Sequence, residues 1–117
     1  MQTVQNVVTY QEMQDKLDAM VQLATEYGFH IGSGCYQYSR LMAKDFNYQD
    51  SHNRTQTIKT FLRLQLHGFS ADSKISVGAW EETPDIKLGK AYNNYSQGES
   101  VEVILEGFKQ WLDTHFN

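Results

Sequence analysis

Apolar residues recur at three- and four-residue steps in a segment near the start of the chain. The stripe consists of Met13, Leu17, Met20, Ala24 and Tyr27. Side chains at this spacing share one face of a helix. Thr9 and Glu12 have capping-box spacing, and Gly28 stands just after the stripe, where helices commonly end. The pattern predicts an amphipathic helix over residues 10–27.

A second stripe of the same kind occupies the last part of the sequence. It consists of Val101, Ile104, Leu105, Phe108, Trp111 or Leu112, and Phe116. Ser96 and Glu99 form another capping-box pattern ahead of it. The sequence therefore predicts a second helix, capped at Ser96 and running to the C-terminal end.

Between the two stripes the pattern is typical of strands. Alternation and β-branched or aromatic residues predict strands over 31–42, 58–67 and 74–80, with a short fourth one over 86–91. The polar stretch 47–56 is predicted as a loop. The predicted fold class is α+β, a two-layer sandwich in the order helix, three- or four-stranded antiparallel meander sheet, helix, forming one domain over residues 1–117.

Composition restricts the function classes. The chain has 117 residues, of which 40% are hydrophobic and 21% charged, as expected for one globular domain. It has no apolar run long enough to cross a membrane and no secretory signal pattern, and Cys35 is its single cysteine. We therefore expect a cytoplasmic protein without a membrane partner.

Charge is unevenly distributed along the chain. The formal net charge is −4, which argues against a general nucleic-acid binder because such domains are usually strongly basic. Residues 1–29 carry −3, residues 30–80 carry +3 and residues 81–117 carry −4. The predicted strands are thus basic, whereas the segments that contain the predicted helices are acidic.

The strand 58–67 has two different faces. Leu62, Leu64 and Leu66 alternate with residues that combine aromatic, guanidinium, amide and imidazole groups. If the helices cover the leucines, the other row lies on an open face with aromatic and basic residues of neighbouring strands. The candidate binding face consists of Tyr36, Tyr38, Arg40, Phe61, Arg63, His67 and Trp80.

Chemical motifs add little to this picture. The four histidines show no metal-ligand spacing, and no catalytic motif is present, so we expect no metal, no cofactor and no enzymatic activity. Cys35 is expected to be a small buried side chain without reactivity.

Two functions fit these features. The first is a small acidic binding protein of the adaptor, inhibitor or immunity type, which binds a protein partner or itself as a homodimer. It would act through the aromatic and basic sheet face or through acidic helix faces. The alternative is a module for a nucleotide or a similar aromatic anion, bound by the same sheet face.

Overall fold

The chain forms two helices and one antiparallel sheet of five strands. The computed structural model describes residues 9–32, 38–68, 70, 72–83 and 86–116. In chain order the elements are α1 (Tyr10–Thr25), β1 (His30–Ile31), β2 (Ser39–Gln49), β3 (Thr55–Leu66), β4 (Lys74–Glu82), β5 (Lys87–Ser96) and α2 (Val101–Phe116). Strand order in the sheet follows chain order. The α+β class is confirmed, but the sheet has five strands rather than three or four.

Helix α1 begins at the predicted cap. Thr9 Oγ1 accepts a hydrogen bond from Glu12 N at 3.1 Å, and the Glu12 carboxylate reaches back to Thr9 N, which completes the capping box. The chain leaves the helix through a turn that ends at Gly28, whose φ of 91° suits a residue without a Cβ. Tyr27 lies in this turn, so the helix is two residues shorter than the stripe suggested.

Helix α2 is capped by a different serine from the predicted one. Ser96 is the last residue of β5, and Ser100 Oγ accepts from Val103 N at 3.2 Å. The predicted cap at Ser96 is therefore wrong, because the sheet holds that residue and the helix starts only at Val101.

The strands depart from the prediction mainly where the sequence is polar. The predicted strand 31–42 is divided into β1 and the start of β2. Half of the predicted loop 47–56 is paired, with Asn47 opposite Thr57 and Gln49 opposite Thr55. Hydrogen bonding to a partner strand overrides the low intrinsic strand preference of these asparagines and glutamines.

The core lies between the helices and one face of the sheet. Its largest fully buried members include Leu17, Met20, Met42, Leu62, Leu64, Ile75, Ile104, Phe108 and Leu112. The helices run in the same direction, because Lys16 bonds to Gln97 O just before α2 and Tyr27 bonds to Asp113 near its end. Among the described residues, neither helix is long and apolar enough to span a membrane.

One hairpin extends past the rest of the sheet. The last residue pair between β3 and β4 is Lys59 with Glu82, whereas β2 and β3 continue pairing as far as Gln49 with Thr55. We call this two-stranded extension, residues 45–58, the arm. Asp50 closes its turn by accepting from Arg54 N at 3.0 Å.

Candidate binding face

Strand register assembles a surface on the side of the sheet away from the helices. Phe61 lies opposite Trp80, and Trp80 lies opposite Gly89. In the next row Gly78 is the partner of both Arg63 and Tyr92. Because alternate residues of these strands enter the helix-covered core, this set shares the opposite face. We call it the open face.

Trp80 is the centre of the open face. Its ring stacks on that of Phe61 with 5.3 Å between centroids and 17° between planes. The Arg63 guanidinium carbon lies 5.6 Å and Lys87 Nζ lies 5.3 Å from the Trp80 ring centroid. Trp80 Nε1 donates to Glu82 Oε2 at 2.7 Å. The Trp80 side chain is therefore held in place by an aromatic neighbour, a carboxylate and two cations.

Two glycines leave room beside the aromatic rings. A hollow of about 400 Å³ is bounded by Arg63, Trp80, Lys87 and Tyr92, with Gly78 and Gly89 in its floor. A Cβ on Gly78 would come within 3.9 Å of Tyr92 Cδ2, and one on Gly89 would meet nothing within 4 Å. Side chains at these two positions would fill the space, so the glycines keep the hollow open.

A bulge brings β5 into this arrangement. Ala79 pairs with Ala91, but the next residue of β4, Trp80, pairs with Gly89, which leaves Lys90 as the extra residue. The Lys90 ammonium lies 3.9 Å from the Glu81 carboxylate and 5.5 Å from the Phe116 ring centroid, on the helix side. The bulge thus separates Lys90 from Lys87, which stays beside Trp80.

Among the described residues, no oxygen acceptor pairs with the two cations beside Trp80. Of the ten lysines and arginines, seven reach an oxygen acceptor: Lys16, Arg40, Lys44, Arg54, Lys59, Lys90 and Lys109. No carboxylate of the described residues lies within 4 Å of Arg63, Lys87 or Lys74. Glu82 is the Cα partner of Lys87 but directs its carboxylate to Trp80 Nε1.

Three of the predicted residues come together and a fourth lies apart. Phe61, Arg63 and Trp80 are mutual neighbours on the open face. His67 shares the face, but it lies just past the end of β3, where its Nε2 is 2.7 Å from Ser76 Oγ. The structure therefore brings Phe61, Arg63 and Trp80 into one cluster without His67.

Arg40 in β2 and Tyr38 just before it do not share this face. Arg40 lies on the helix side, where Nη2 donates to Gln14 Oε1 at 2.6 Å and lies 3.5 Å from Asp18 Oδ1. Its expected place on the open face is corrected, because the register sets Arg40 opposite the buried Leu64. Tyr38 follows the same alternation. Tyr36 and Cys35 lie outside the described residues.

Sequence reasoning missed Lys87 and Tyr92. Tyr92 lies just beyond the predicted strand 86–91, and it is 66% exposed. The available signal was the tyrosine content of residues 87–96, which favours a strand. The bulge that directs Lys87 toward Trp80 has no sequence signature of its own.

A larger hollow lies on the other side of the molecule, between the two helices. It has a volume of about 570 Å³, with Ala19, Leu23 and Leu105 in its floor. Its one lysine, Lys109, is paired with Asp113 at 3.1 Å. This groove offers an apolar surface with acidic neighbours but no unpaired cation.

The open face is suited to binding by stacking and by charge. Within the ranges that the structure describes, no group of three or more histidine, cysteine or acidic side chains is arranged to hold a metal ion.

Comparison of the chain with protein-family models, with curated proteins and with solved structures finds no match.

Proposed function

We propose that the protein is a non-enzymatic binding protein whose open face, centred on Trp80, binds an acidic segment of a protein partner. The observation that carries the proposal is the pair of cations beside Trp80, Arg63 and Lys87, which have no carboxylate partner among the described residues although most other cations of the chain have an oxygen acceptor. An anionic group of a partner would form ion pairs with these two cations.

The shape of the surface favours a chain segment over a small molecule. Small-molecule sites usually bury most of their ligand, about 70–90% of its surface. Here the hollow lies on an open sheet, and Tyr92 at its margin is 66% exposed. An extended acidic segment can lie across such a surface and place an aromatic or apolar residue over the glycine floor.

Charge also favours a different protein over a second copy on this face. Two open faces packed together about a two-fold axis would bring like charges of Arg63 and Lys87 toward each other. Without a counterion such a contact is repulsive. An acidic partner avoids this cost.

A planar aromatic anion is the second candidate for the same hollow. Gly78 and Gly89 leave space of ring size between Trp80 and Tyr92, and both cations are within reach of a phosphate or carboxylate group. A nucleotide would use the hollow more fully than a peptide, but its remaining surface would stay in solvent.

Calorimetry with a defined peptide tests the main proposal. An eight-residue peptide of alternating glutamate and tyrosine serves as the acidic probe, and the lysine–tyrosine peptide of equal length is its control. We expect only the acidic peptide to bind, with weaker binding at higher salt. Loss of one charged hydrogen bond through Arg63→Gln should cost about 1.5–3 kcal/mol, a tenfold or larger loss of affinity.

The Lys74→Gln variant is the matched control. Lys74 is another cation without a carboxylate partner among the described residues, and alternation places it on the same side of the sheet, six residues before Trp80. It should leave affinity nearly unchanged. Equal losses from Arg63→Gln and Lys74→Gln, or no binding of the acidic peptide, would contradict the proposal. Binding of adenosine monophosphate without binding of the peptide would favour the second candidate.

A further inference from the structure

The arm carries exposed apolar side chains on a surface that neither helix covers. Phe46 is 62% and Tyr48 is 38% exposed, and their rings stack with 6.4 Å between centroids and 15° between planes. Ile58, the partner of Phe46 on β3, adds a third apolar side chain. A two-stranded hairpin is only marginally stable in water, and an exposed apolar patch commonly marks a contact surface.

The backbone of β2 has a definite direction of hydrogen bonding. Tyr38 O accepts from Leu66 N at 2.8 Å, and Asp50 N donates to Arg54 O at 2.9 Å, so even-numbered residues direct their backbone groups toward β3. Odd-numbered residues direct theirs to the opposite edge, as at Leu41, whose carbonyl accepts from Gly32 N at 2.9 Å.

Along the arm, no strand of the described residues pairs with that opposite edge. Within the described ranges, β1 and the adjacent Gly32 pair with β2 at Leu41, Met42 and Ala43 and no further along the arm. Within the described ranges, the outward backbone groups of Asp45, Asn47 and Gln49 therefore meet no neighbouring strand. An unprotected edge of this kind is a template for another strand.

The edge sequence is complementary to itself when read antiparallel. If the pairing is centred on Asn47, Phe46 of one copy lies opposite Tyr48 of the other, and Lys44 lies opposite Asp50. Asp45 and Gln49 then pair through the backbone groups that face outward. Hydrogen-bond phase and the aromatic pairs agree on this register.

We propose that two copies of the chain associate through the β2 edges of their arms, antiparallel about a two-fold axis at Asn47. The contact forms about six backbone hydrogen bonds, two at each of three residue pairs. The arm adds little repulsion, since Asp45 lies 3.7 Å from Lys59 and Asp50 lies 3.0 Å from Arg54 within one copy. Both helix pairs then lie on one side of a continuous sheet, and both open faces lie on the other.

The association is a weak one. One pair of strand edges and the aromatic rings beside it bury an area at or below the low end for specific interfaces, about 1,200 Å² in total. We expect a concentration-dependent dimer rather than an obligate one. The contact is independent of the open face and of what that face binds.

Sedimentation equilibrium over a wide concentration range tests the proposal with four chains. The native chain should show a monomer–dimer equilibrium. Phe46→Lys with Tyr48→Lys places like charges opposite each other across the axis and should weaken the dimer by about tenfold or more. Phe46→Lys with Tyr48→Glu places opposite charges there, so it should dimerise clearly better than the double lysine variant. Tyr92→Ser removes an exposed ring from the open face and should leave the dimer unchanged.

Asn47→Pro provides a second test of the backbone contact. The Asn47 amide faces away from β3, so proline removes an edge donor while the β2–β3 ladder keeps its hydrogen bonds. Dimerisation should be lost. If this variant does not fold, the two double charge variants at Phe46 and Tyr48 still test whether the arm edge forms the dimer.

Hydrogen exchange completes the test. The amides of Asp45, Asn47 and Gln49 should gain protection as concentration rises. A native chain that stays monomeric at millimolar concentration would overturn the proposal, and so would a dimer indifferent to the charge variants. Protection of these amides at every concentration would also overturn it, because the edge would then be covered within the single chain.

Discussion

The two faces of β3 belong to one strand but have different environments. On one face Leu62 and Leu64 are fully buried beneath the helices. On the other, Phe61 is half-buried against Trp80, and Arg63 is exposed. The leucine face contributes mainly hydrophobic burial, whereas on the Phe61 face the Arg63 charge has no carboxylate partner among the described residues.

Charged groups on the two faces show the same contrast. On the helix side, Arg40 bonds to Gln14, and Lys44 Nζ donates to Tyr27 O at 2.9 Å. Partial burial, followed by the nearby Lys90 charge, lowers the pKa of Lys44. On the open face Arg63 and Lys87 contact the Trp80 ring, and no carboxylate of the described residues lies within 4 Å of either. The cations on the helix side bond within the chain, whereas Arg63 and Lys87 form no ion pair with the described residues.

The largest expected effect comes from truncating a side chain on each face. Leu64→Ala should lower the free energy of unfolding by about 2–5 kcal/mol, because it leaves a cavity in the core. Phe61→Ala loses one stacked pair and part of its burial and should cost about 1–2 kcal/mol. Urea denaturation of both variants measures the difference. Equal losses would mean that the open face is packed like a core.

The division of β3 into two faces was predictable, but the composition of the open face was only partly so. Strict alternation in residues 61–67 predicts which side is buried. To predict which residues of neighbouring strands share a face, the register between the strands must be known. Arg40 and Met42 lie on the same side of β2, although one is charged and the other apolar. The charged Arg40 can lie on the core side because its stem is buried under α1 while its guanidinium bonds to Gln14 and Asp18. These two partners are distant in sequence, so the sequence pattern does not reveal them.

The next effect compares the two arginines directly. Arg40→Gln removes charged hydrogen bonds to α1 and should lower the free energy of unfolding by about 1–2 kcal/mol, given the exposure of Asp18. Arg63→Gln should change it by no more than about 0.5 kcal/mol. Thermal and urea unfolding of the pair provide the measurement. A larger stability loss from Arg63→Gln would show that this cation has a structural role.

A smaller effect with the opposite sign is expected at Gly78. Its Cβ position has ordinary contact distance to Tyr92, and its φ is not in the left-handed region. Gly78→Ala should therefore raise the free energy of unfolding by up to about 1 kcal/mol, because alanine lowers the conformational entropy of the unfolded chain. It should also lower affinity for the acidic peptide, because the methyl group occupies the hollow. Higher stability with unchanged affinity would remove the hollow from the binding face.

The smallest expected effect is a loosening of the arm at acid pH. Neither helix covers the sheet in this region. Hydrogen bonds from Arg54 N and Gln56 Nε2, with a further one from His52 N, lower the pKa of the Asp50 carboxyl below its usual 3.8. A carboxylate with a depressed folded-state pKa stabilises the fold above its unfolded pKa, and the contribution is lost as pH falls through the folded value. The turn of the arm should therefore loosen below about pH 4.

Amide chemical shifts of residues 50–56, followed from pH 6 to pH 2, measure this change, and Asp50→Asn is the control. The native arm should show a transition at acid pH that the asparagine variant lacks, while the amides of Leu62 and Leu64 stay unaffected in both. The arm has no helix packed on it, so its turn responds to the protonation of one carboxylate without disturbing the core. A simultaneous change in arm and core would instead mean that the exposed hairpin and the covered sheet unfold as one unit.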